Sequence, residues 1–251
     1  MVKTNAGRKP DAGSRKLFGV LIAAIAIAGV GTLGYVLSRP KASSVLVAMP
    51  AAAGSTETGV GHLEGNADAP VQVMEFGDFE CPHCAEFALV TEPDIRTRLI
   101  STGIVAFRYF DFPLSGFEHS WTAHIAASCA EDQGKFWEMH DRLYSSQDEW
   151  NSLGTNNPVK VMTRFAGDIG LDVDKWKTCV TTQATAARVR GNQAEGLRRD
   201  FKGTPTLFIG KRMFSGAATY DKFKANVDSA LADYKADSVA NARSATRPPK
   251  P

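Results

Sequence analysis

The stretch "VQVMEFGDFECPHC", Val71–Cys84, joins an apolar run to two cysteines that are separated by two residues. The run Val71–Phe76 is rich in β-forming residues and predicts a short buried strand. A helical stretch begins at Cys81 and reaches about Ser101, and Pro82 suits its first turn because that turn does not use the missing N–H. The sequence therefore predicts a cysteine pair where a strand hands over to a helix.

Two cysteines at this spacing fit a redox pair, half of a zinc site or an inert disulfide. Zinc needs about four ligands, and the remaining cysteines and histidines form no second paired cluster. An inert disulfide in so tight a loop would stabilise the fold poorly.

The redox interpretation accounts for more of the residues. The sulfur of Cys81 would meet the free N–H groups and the positive end of the helix, which lower a thiol pKa from ~8.5 to about 3.5–7.5. His83, when protonated, would add a positive charge beside the same sulfur. Cys84, one turn further on, is expected to be more buried and to resolve the mixed disulfide.

Glu75 is an acidic residue within the predicted strand. It shares a side of that strand with Val73, so its carboxyl is expected to be buried beneath the cysteines. Burial raises the pKa of a carboxyl, and such a group can relay a proton to or from Cys84. The alternative is a glutamate near the sheet edge whose charge reaches solvent. Asp78 and Glu80, in the following loop, are expected to be solvated.

The N-terminus contains the apolar segment Leu17–Leu37, which is uncharged and long enough to cross a bilayer as a helix. Five basic residues precede it: Lys3, Arg8, Lys9, Arg15 and Lys16. Two follow closely: Arg39 and Lys41. This asymmetry predicts a cytoplasmic N-terminus over 1–16 and a retained transmembrane anchor over 17–37. The alternative is a signal peptide cleaved near "PAAA" (50–53), although the apolar core of such a peptide usually spans only about 7–15 residues.

Both interpretations place the bulk of the chain outside the cytoplasm, on the periplasmic or extracellular side, either membrane-anchored or secreted after signal cleavage. Disulfides persist in such compartments. The formal net charge of +2, with 22% charged residues, gives no argument for a nucleic-acid partner.

The exported part divides into a flexible linker over 38–61, a folded domain over 62–235 and a disordered tail over 236–251. In the folded domain, Ile104–Phe110 predicts a second strand, and apolar residues at three- and four-residue spacings predict a helical block over about 117–200. Two short strands around Gly210 and a last helix over about Tyr220–Leu231 follow. This order predicts an α/β fold in which a helical block interrupts a small sheet.

"VQVMEFGDFECPHC", followed far downstream by "GTPTLFIG", resembles the DsbA-type thiol:disulfide oxidoreductases of the thioredoxin superfamily. "EGNADAPV" before the strand and "GKFWEMHDRLY" in the helical block resemble the same family. The resemblance extends over about Leu63–Leu231 and implies a thioredoxin-like fold with an inserted helical block.

The same resemblance implies roles for site residues. It makes Cys81 the nucleophile and Cys84 the resolving cysteine, and the family carries an acid at the place of Glu75. It makes Pro205 a cis-proline that faces the cysteine pair, with Thr204 touching bound substrate or the sulfur. From the residues alone, Pro205 remains open as an ordinary trans loop proline.

Cys129 and Cys179 lie in separate predicted helices of the block. Four cysteines in an exported chain favour two pairs, and some DsbA-like proteins carry a comparable bridge. We expect a structural disulfide here, against two buried free thiols or a second redox site.

The resemblance implies an enzyme that introduces disulfides into exported proteins with free thiols. It needs no metal and no organic cofactor, but it needs a quinone-linked membrane reoxidant, DsbB-like or VKOR-like. The alternatives are a disulfide reductase or isomerase, and a non-catalytic thioredoxin-like chaperone or binding module.

Overall fold

The computed structural model describes residues 59–245. These fall within the second of the chain's two compact units, residues 45–251, and the first unit, residues 1–44, lies outside the described part. The predicted basic N-terminus, membrane anchor and most of the linker therefore lie outside the described residues. Within 59–245, no helix combines the length and the apolar character that crossing a bilayer requires.

The described sheet has five strands in the order β1-β3-β2-β4-β5. The strands are β1 (His62–Glu64), β2 (Val71–Gly77), β3 (Val105–Asp111), β4 (Thr206–Ile209) and β5 (Arg212–Ser215). β2 pairs with β3 in parallel, and the other pairs are antiparallel. The strands predicted from Val71, from Ile104 and on both sides of Gly210 are confirmed. β1 was not predicted, because three residues are too few to show an alternation.

The first helical stretch follows β2 directly. It consists of α1 (Pro82–Val90), α2 (Glu92–Ile95) and a π-helical turn (Arg96–Ile100). The predicted helix to about Ser101 is therefore present, with a break at Thr91. The break places Pro93 in the first turn of α2, where a backbone N–H would have no partner within the helix, so its absence in proline costs nothing.

The helical block between β3 and β4 contains six helices. They are α3 (Ser120–Glu131), α4 (Phe136–Ser145), α5 (Gln147–Trp150), α6 (Pro158–Asp168), α7 (Val173–Thr182) and α8 (Ala186–Leu197). The side chains of Asn157 and Asp172 cap α6 and α7 by accepting a backbone N–H three residues on. The predicted block over about 117–200 agrees with these bounds.

The core joins this block to the sheet at the cysteine pair. Phe79 and Cys84 belong to the same buried cluster as Trp150 and Trp176 of the block. A second cluster packs β2 and β3 against the last helix, α9 (Tyr220–Ala245), through residues such as Phe223. The loop that carries the cysteines is therefore held between the sheet and the inserted helices.

The C-terminal helix is longer than predicted. α9 continues to Ala245, so the predicted helix end at Leu231 and the predicted start of a disordered tail at 236 are wrong. The segment 220–245 contains neither Gly nor Pro, so nothing in it interrupts the helix. The rest of the predicted tail, 246–251, lies outside the described residues.

Candidate active site

Cys81 is the N-cap residue of α1, with Pro82 as the first helical residue. Its backbone N–H donates to the Asp78 carbonyl at 3.1 Å, and its own carbonyl accepts from the N–H groups of Cys84 and Ala85, each at 3.1 Å. The short loop after β2 therefore delivers the Cys81 sulfur to the start of the helix, where N–H groups are free to bind it.

The two cysteines differ in access. Both are free thiols in this structure, and Cys81 is 6% exposed whereas Cys84 is fully buried. The backbone N–H of Asp78 donates to the Cys84 sulfur at 3.5 Å. A reagent that approaches from outside can therefore reach only Cys81.

The pKa values of the two thiols move in opposite directions. The pKa of Cys81 is lowered to about 5, chiefly by a hydrogen bond from the Cys84 thiol. Burial acts the other way, but the Thr204 side chain and the backbone N–H groups of Cys84 and His83 lower the pKa further. Burial is the main cause that raises the pKa of Cys84 well above its ordinary value. The hydrogen bond with Cys81 and the charges of Cys81 and Glu75 raise it further. The pair therefore has one thiolate and one protonated thiol at neutral pH.

Thr204 and Pro205 lie beside the cysteine pair. The Cys81 thiol donates to the Thr204 carbonyl at 3.5 Å, the Thr204–Pro205 peptide bond is cis, and Pro205 is buried at the start of β4. The fold thus brings together two segments that are more than a hundred residues apart in the sequence.

His83 points away from the sulfur of Cys81. Its side chain is 75% exposed, and its Nδ1 lies 3.5 Å from Glu86 in the next turn. Pro82 is also exposed. His83 therefore acts on Cys81 through its backbone N–H, while its ring belongs to the outer surface of the site.

Glu75 is fully buried in the central strand, where it pairs with Tyr109 and Leu207. Among residues 59–245, no group donates a hydrogen bond to either of its carboxyl oxygens. Burial, then the neighbouring Glu92 carboxyl, raises the pKa of Glu75 well above its ordinary value. Glu75 is therefore an acid that favours its protonated form in the interior, and it lies close enough to Cys84 that its ionised form raises the pKa of that thiol.

The expectation that Asp78 and Glu80 are solvated is wrong, because both are buried. One Asp78 oxygen accepts from the N–H of Glu80 and the other from the N–H of Leu114, both at 2.8 Å. The Glu80 oxygens accept from the N–H groups of Ser152 at 2.6 Å and His119 at 2.7 Å. Glu80 thus attaches the cysteine-bearing loop to the helical block, whereas Asp78 bonds within the loop and to the segment that follows β3.

A buried polar network centred on Asp111 was also missed. Asp111 accepts from His62 and Asn192 through one oxygen, at 2.8 and 2.7 Å, and contacts Nδ1 of His124 through the other at 2.7 Å. The second ring nitrogen of His62 lies 2.8 Å from Glu131. The network ties β1 and β3 to α3 and α8. Its members are scattered along the sequence, so no local pattern announces it.

Cys129 and Cys179 form a disulfide that joins α3 to α7, with a Cα–Cα distance of 5.9 Å. Both residues belong to the helical block and neither lies in the loop that carries Cys81. This bridge therefore constrains the block and leaves the first pair free to exchange.

Several known proteins are similar to this chain in sequence. A family model described as Thioredoxin matches residues 57–229. The chain is 33% identical over 172 residues to a Na(+)/H(+) antiporter NhaA 3 of Salinispora tropica. The aligned residues are 68% of this chain and 25% of that protein. It is 26% identical to a probable disulfide bond formation protein D of Bacillus anthracis, over 66% of this chain and 76% of that protein. The chain thus spans about a quarter of the length of the antiporters that it matches.

Solved structures match the fold. α-DsbA1 of Wolbachia pipientis aligns with a TM-score of 0.62 at 20% identity, over 71% of this chain and 94% of that chain. Oxidised BdbD of Bacillus subtilis aligns with a TM-score of 0.60 at 24% identity, over 71% and 99%. The chain therefore belongs to the thioredoxin family, and its fold is the one seen in these DsbA-type proteins.

Proposed function

We propose that this protein is an extracytoplasmic oxidant that introduces disulfides into exported proteins through its Cys-Pro-His-Cys site. One observation carries the proposal: Cys81 is stabilised as a thiolate at the start of α1, while Cys84 is fully buried and stays protonated. Stabilising the thiolate stabilises the reduced pair, and a stabilised reduced form makes the disulfide a stronger oxidant.

In the proposed reaction the working form is the Cys81–Cys84 disulfide. A substrate thiolate attacks the Cys81 sulfur, the Cys81–Cys84 bond breaks, and Cys84 leaves and takes up a proton. The second substrate thiolate then attacks the substrate sulfur of the mixed disulfide, and Cys81 leaves as a thiolate. The substrate loses two electrons and the cysteine pair gains them. The low pKa of Cys81 makes it a good leaving group in this last step.

Thr204 and Pro205 are the proposed substrate-binding residues, because they lie against the sulfur that forms the mixed disulfide. Glu75 is the proposed acid for Cys84, because its charge and that of the Cys84 thiolate affect each other in the interior. His83 is the proposed surface residue that adds positive charge near Cys81.

The location and the partners are part of the same proposal. The Cys129–Cys179 bridge supports an oxidising compartment, since disulfides are rare in reducing ones. The segment 17–37 is the proposed anchor, and a quinone-linked membrane protein is the proposed reoxidant. Exported proteins with free thiols are the substrates.

The test is oxidation of a reduced peptide that carries two cysteines. We expect one equivalent of the oxidised protein to remove both peptide thiols, measured by a thiol reagent after acid quenching. Cys81→Ser should abolish the reaction. A wild-type protein that binds the peptide without removing its thiols would indicate a binding module and contradict the proposal.

A further inference from the structure

The Cys84 thiol must exchange a proton in every catalytic cycle, yet it has no contact with solvent. Its acid partner, Glu75, is itself fully buried and protonated. A protonated Glu75 can accept the Cys84 proton only if it passes its own proton on. The proposed function therefore requires a further group between Glu75 and solvent.

Glu92 occupies the position that this requirement describes. Its carboxyl lies beside Glu75, from the first turn of α2, and is buried. One of its oxygens, Oε2, contacts Arg96 Nη2 at 3.2 Å. The other, Oε1, has no hydrogen-bond partner in the described part of the chain and lies 3.8 Å from His140 Nε2, which has none there either. Two unpaired buried groups thus face each other next to Glu75.

The outer end of this cluster opens on solvent. His140 Nδ1 lies 2.9 Å from Asp141 Oδ1, and the other Asp141 oxygen lies 2.6 Å from Arg96. The Asp141 side chain is about half exposed. Asp141, Arg96 and Tyr144 line a cavity of about 500 Å3 between the first helices and α4. A proton that reaches His140 is therefore one residue away from water.

Glu92, His140 and Asp141 also form a group whose ligand atoms lie within 4.8 Å of one another, as in a cation site. Arg96, however, already places its guanidinium between the Glu92 and Asp141 carboxylates. A divalent cation would have to lie against that positive charge. The cluster therefore suits proton transfer better than metal binding.

We infer that Glu92 and His140 carry protons between Glu75 and the solvent cavity beside Asp141. In the reoxidation direction the Cys84 thiol gives its proton to Glu75 while Glu75 passes its own to Glu92. His140 passes that proton from Nδ1 to Asp141, which borders the cavity and releases it to water there. The Cys84 thiolate then attacks the Cys81 sulfur of a mixed disulfide and expels the partner thiolate. In the oxidising direction each proton moves the opposite way. This inference rests on the proposed function.

Other titratable groups border this path. Tyr109 and Tyr144 hydrogen-bond to each other at 3.0 Å, and burial raises the pKa of both, so they stay neutral. Glu64 of β1 contacts Arg96 Nε at 3.1 Å. The charge of Cys81 acts on Glu75 and raises its pKa further. Within residues 59–245, Glu92 and His140 are the carboxyl and imidazole groups that combine an unpaired buried atom with a place between Glu75 and the cavity.

The test follows reduced protein as it reacts with oxidised glutathione, with acid quenching and mass spectrometry of the reduced, mixed-disulfide and oxidised species. In the first step, Cys81 attacks oxidised glutathione and the protonation of Cys84 does not change. In the second step, Cys84 is the attacking group and must first lose its proton. We expect Glu92→Gln and His140→Phe to leave the first step unchanged and to slow the second by about tenfold or more at its pH optimum.

The variants are chosen to keep the fold. A phenyl group fits the space of the His140 ring, because that ring is surrounded by other aromatic rings. These belong to Phe79, Phe136, Trp137, Tyr109 and Tyr144. Glu64→Gln is the matched control, because it removes another carboxylate that contacts Arg96 and that acts on Glu92 and His140 only through its charge, without being one of the groups that carry the proton. It should resolve the mixed disulfide at the wild-type rate.

The same experiment can overturn the inference in two ways. Wild-type second-step rates in both path variants would do so. A second contradicting outcome would be a Glu92→Gln variant whose second-step rate reaches the wild-type maximum at a different pH. Glu92 would then shift the pKa of Glu75 without carrying its proton. A wild-type protein that forms no mixed disulfide at all would contradict the proposed function, and the inference with it.

Discussion

At the scale of single residues, the site is an asymmetry between two identical side chains. Cys81 lies at the free N–H groups of a helix end, and Cys84 lies three residues on, inside the core. Position along one turn of helix thus gives one thiol a pKa of about 5 and the other a pKa well above the ordinary range.

This asymmetry predicts selective chemistry at Cys81. In the reduced protein, iodoacetamide should modify Cys81 much faster than Cys84 at neutral pH, because the thiolate is the nucleophile. Cys84→Ser should accumulate mixed disulfides between Cys81 and proteins or peptides that already carry a disulfide, since Cys84 is no longer present to attack the Cys81 sulfur and release them. Peptide mass mapping after brief alkylation reads out the first effect. Faster labelling of Cys84 would reverse the two roles.

His83 is expected to be a weak tuner. Its ring is largely exposed, so solvent and salt screen its charge, while the backbone N–H that binds the Cys81 thiolate remains in any substitution. His83→Ala should therefore raise the pKa of Cys81 modestly and weaken oxidising power to match. The thiolate absorbance, titrated against pH, measures this. An unchanged titration would remove the ring from the account.

The cysteine pair and the burial of Glu75 were predictable because both follow from local pattern. The helix start at Pro82 and the alternation around Glu75 can be read within a few residues. The burial of Asp78 and Glu80 was not predictable because donors from the segment after β3 and from the helical block cover them, and no local pattern places those segments over the loop. The role of Glu92 was not predicted, since its relation to Glu75 exists only in the folded chain.

At the scale of elements, the helical block is held together by the bridge between α3 and α7. The bridged cysteines are 50 residues apart, so the bridge restricts the unfolded chain considerably. The strand–helix order of the thioredoxin-like part was predictable from periodicity, whereas the length of α9 was not, because its second half is polar and lacks an apolar stripe.

The bridge predicts a separation of stability from activity. Replacing Cys129 and Cys179 together with Ser should lower the free energy of unfolding by about 4 kcal/mol or less, the chain-entropy value for a loop of this size. Thiol exchange at Cys81 should be largely retained. Urea denaturation and peptide oxidation on the same variant provide the two readouts. Loss of exchange in a folded variant would show that the bridge belongs to the redox site.

At the scale of the whole molecule, the Asp111 network connects the edge strand to the helical block. Burial alone would lower the pKa of His62, but the charges and hydrogen bonds of Asp111 and Glu131 outweigh it and raise that pKa to about 9. The charge of His62 and the hydrogen bond from His124 hold the pKa of Asp111 well below its usual range, against burial. The network is therefore a buried ion cluster at neutral pH.

His62 should make stability depend on pH. Because its folded pKa lies above the ordinary 6.5, its contribution is complete below pH 6.5 and is lost as the pH rises toward 9. That difference corresponds to at most about 3 kcal/mol. The comparison is wild type against His62→Gln in the oxidised form, where Cys81 and Cys84 do not titrate. The stability gap should shrink between pH 6.5 and 9. A gap that stays constant would contradict the charged histidine.

The reduction potential of the Cys81–Cys84 pair, measured by equilibration with glutathione, tests the central claim most directly. The stabilised Cys81 thiolate favours the reduced form, so the disulfide should be a strong oxidant. We predict a potential more positive than about −180 mV, and a value near about −270 mV, that of the reductant thioredoxin, would contradict the assignment as an oxidant.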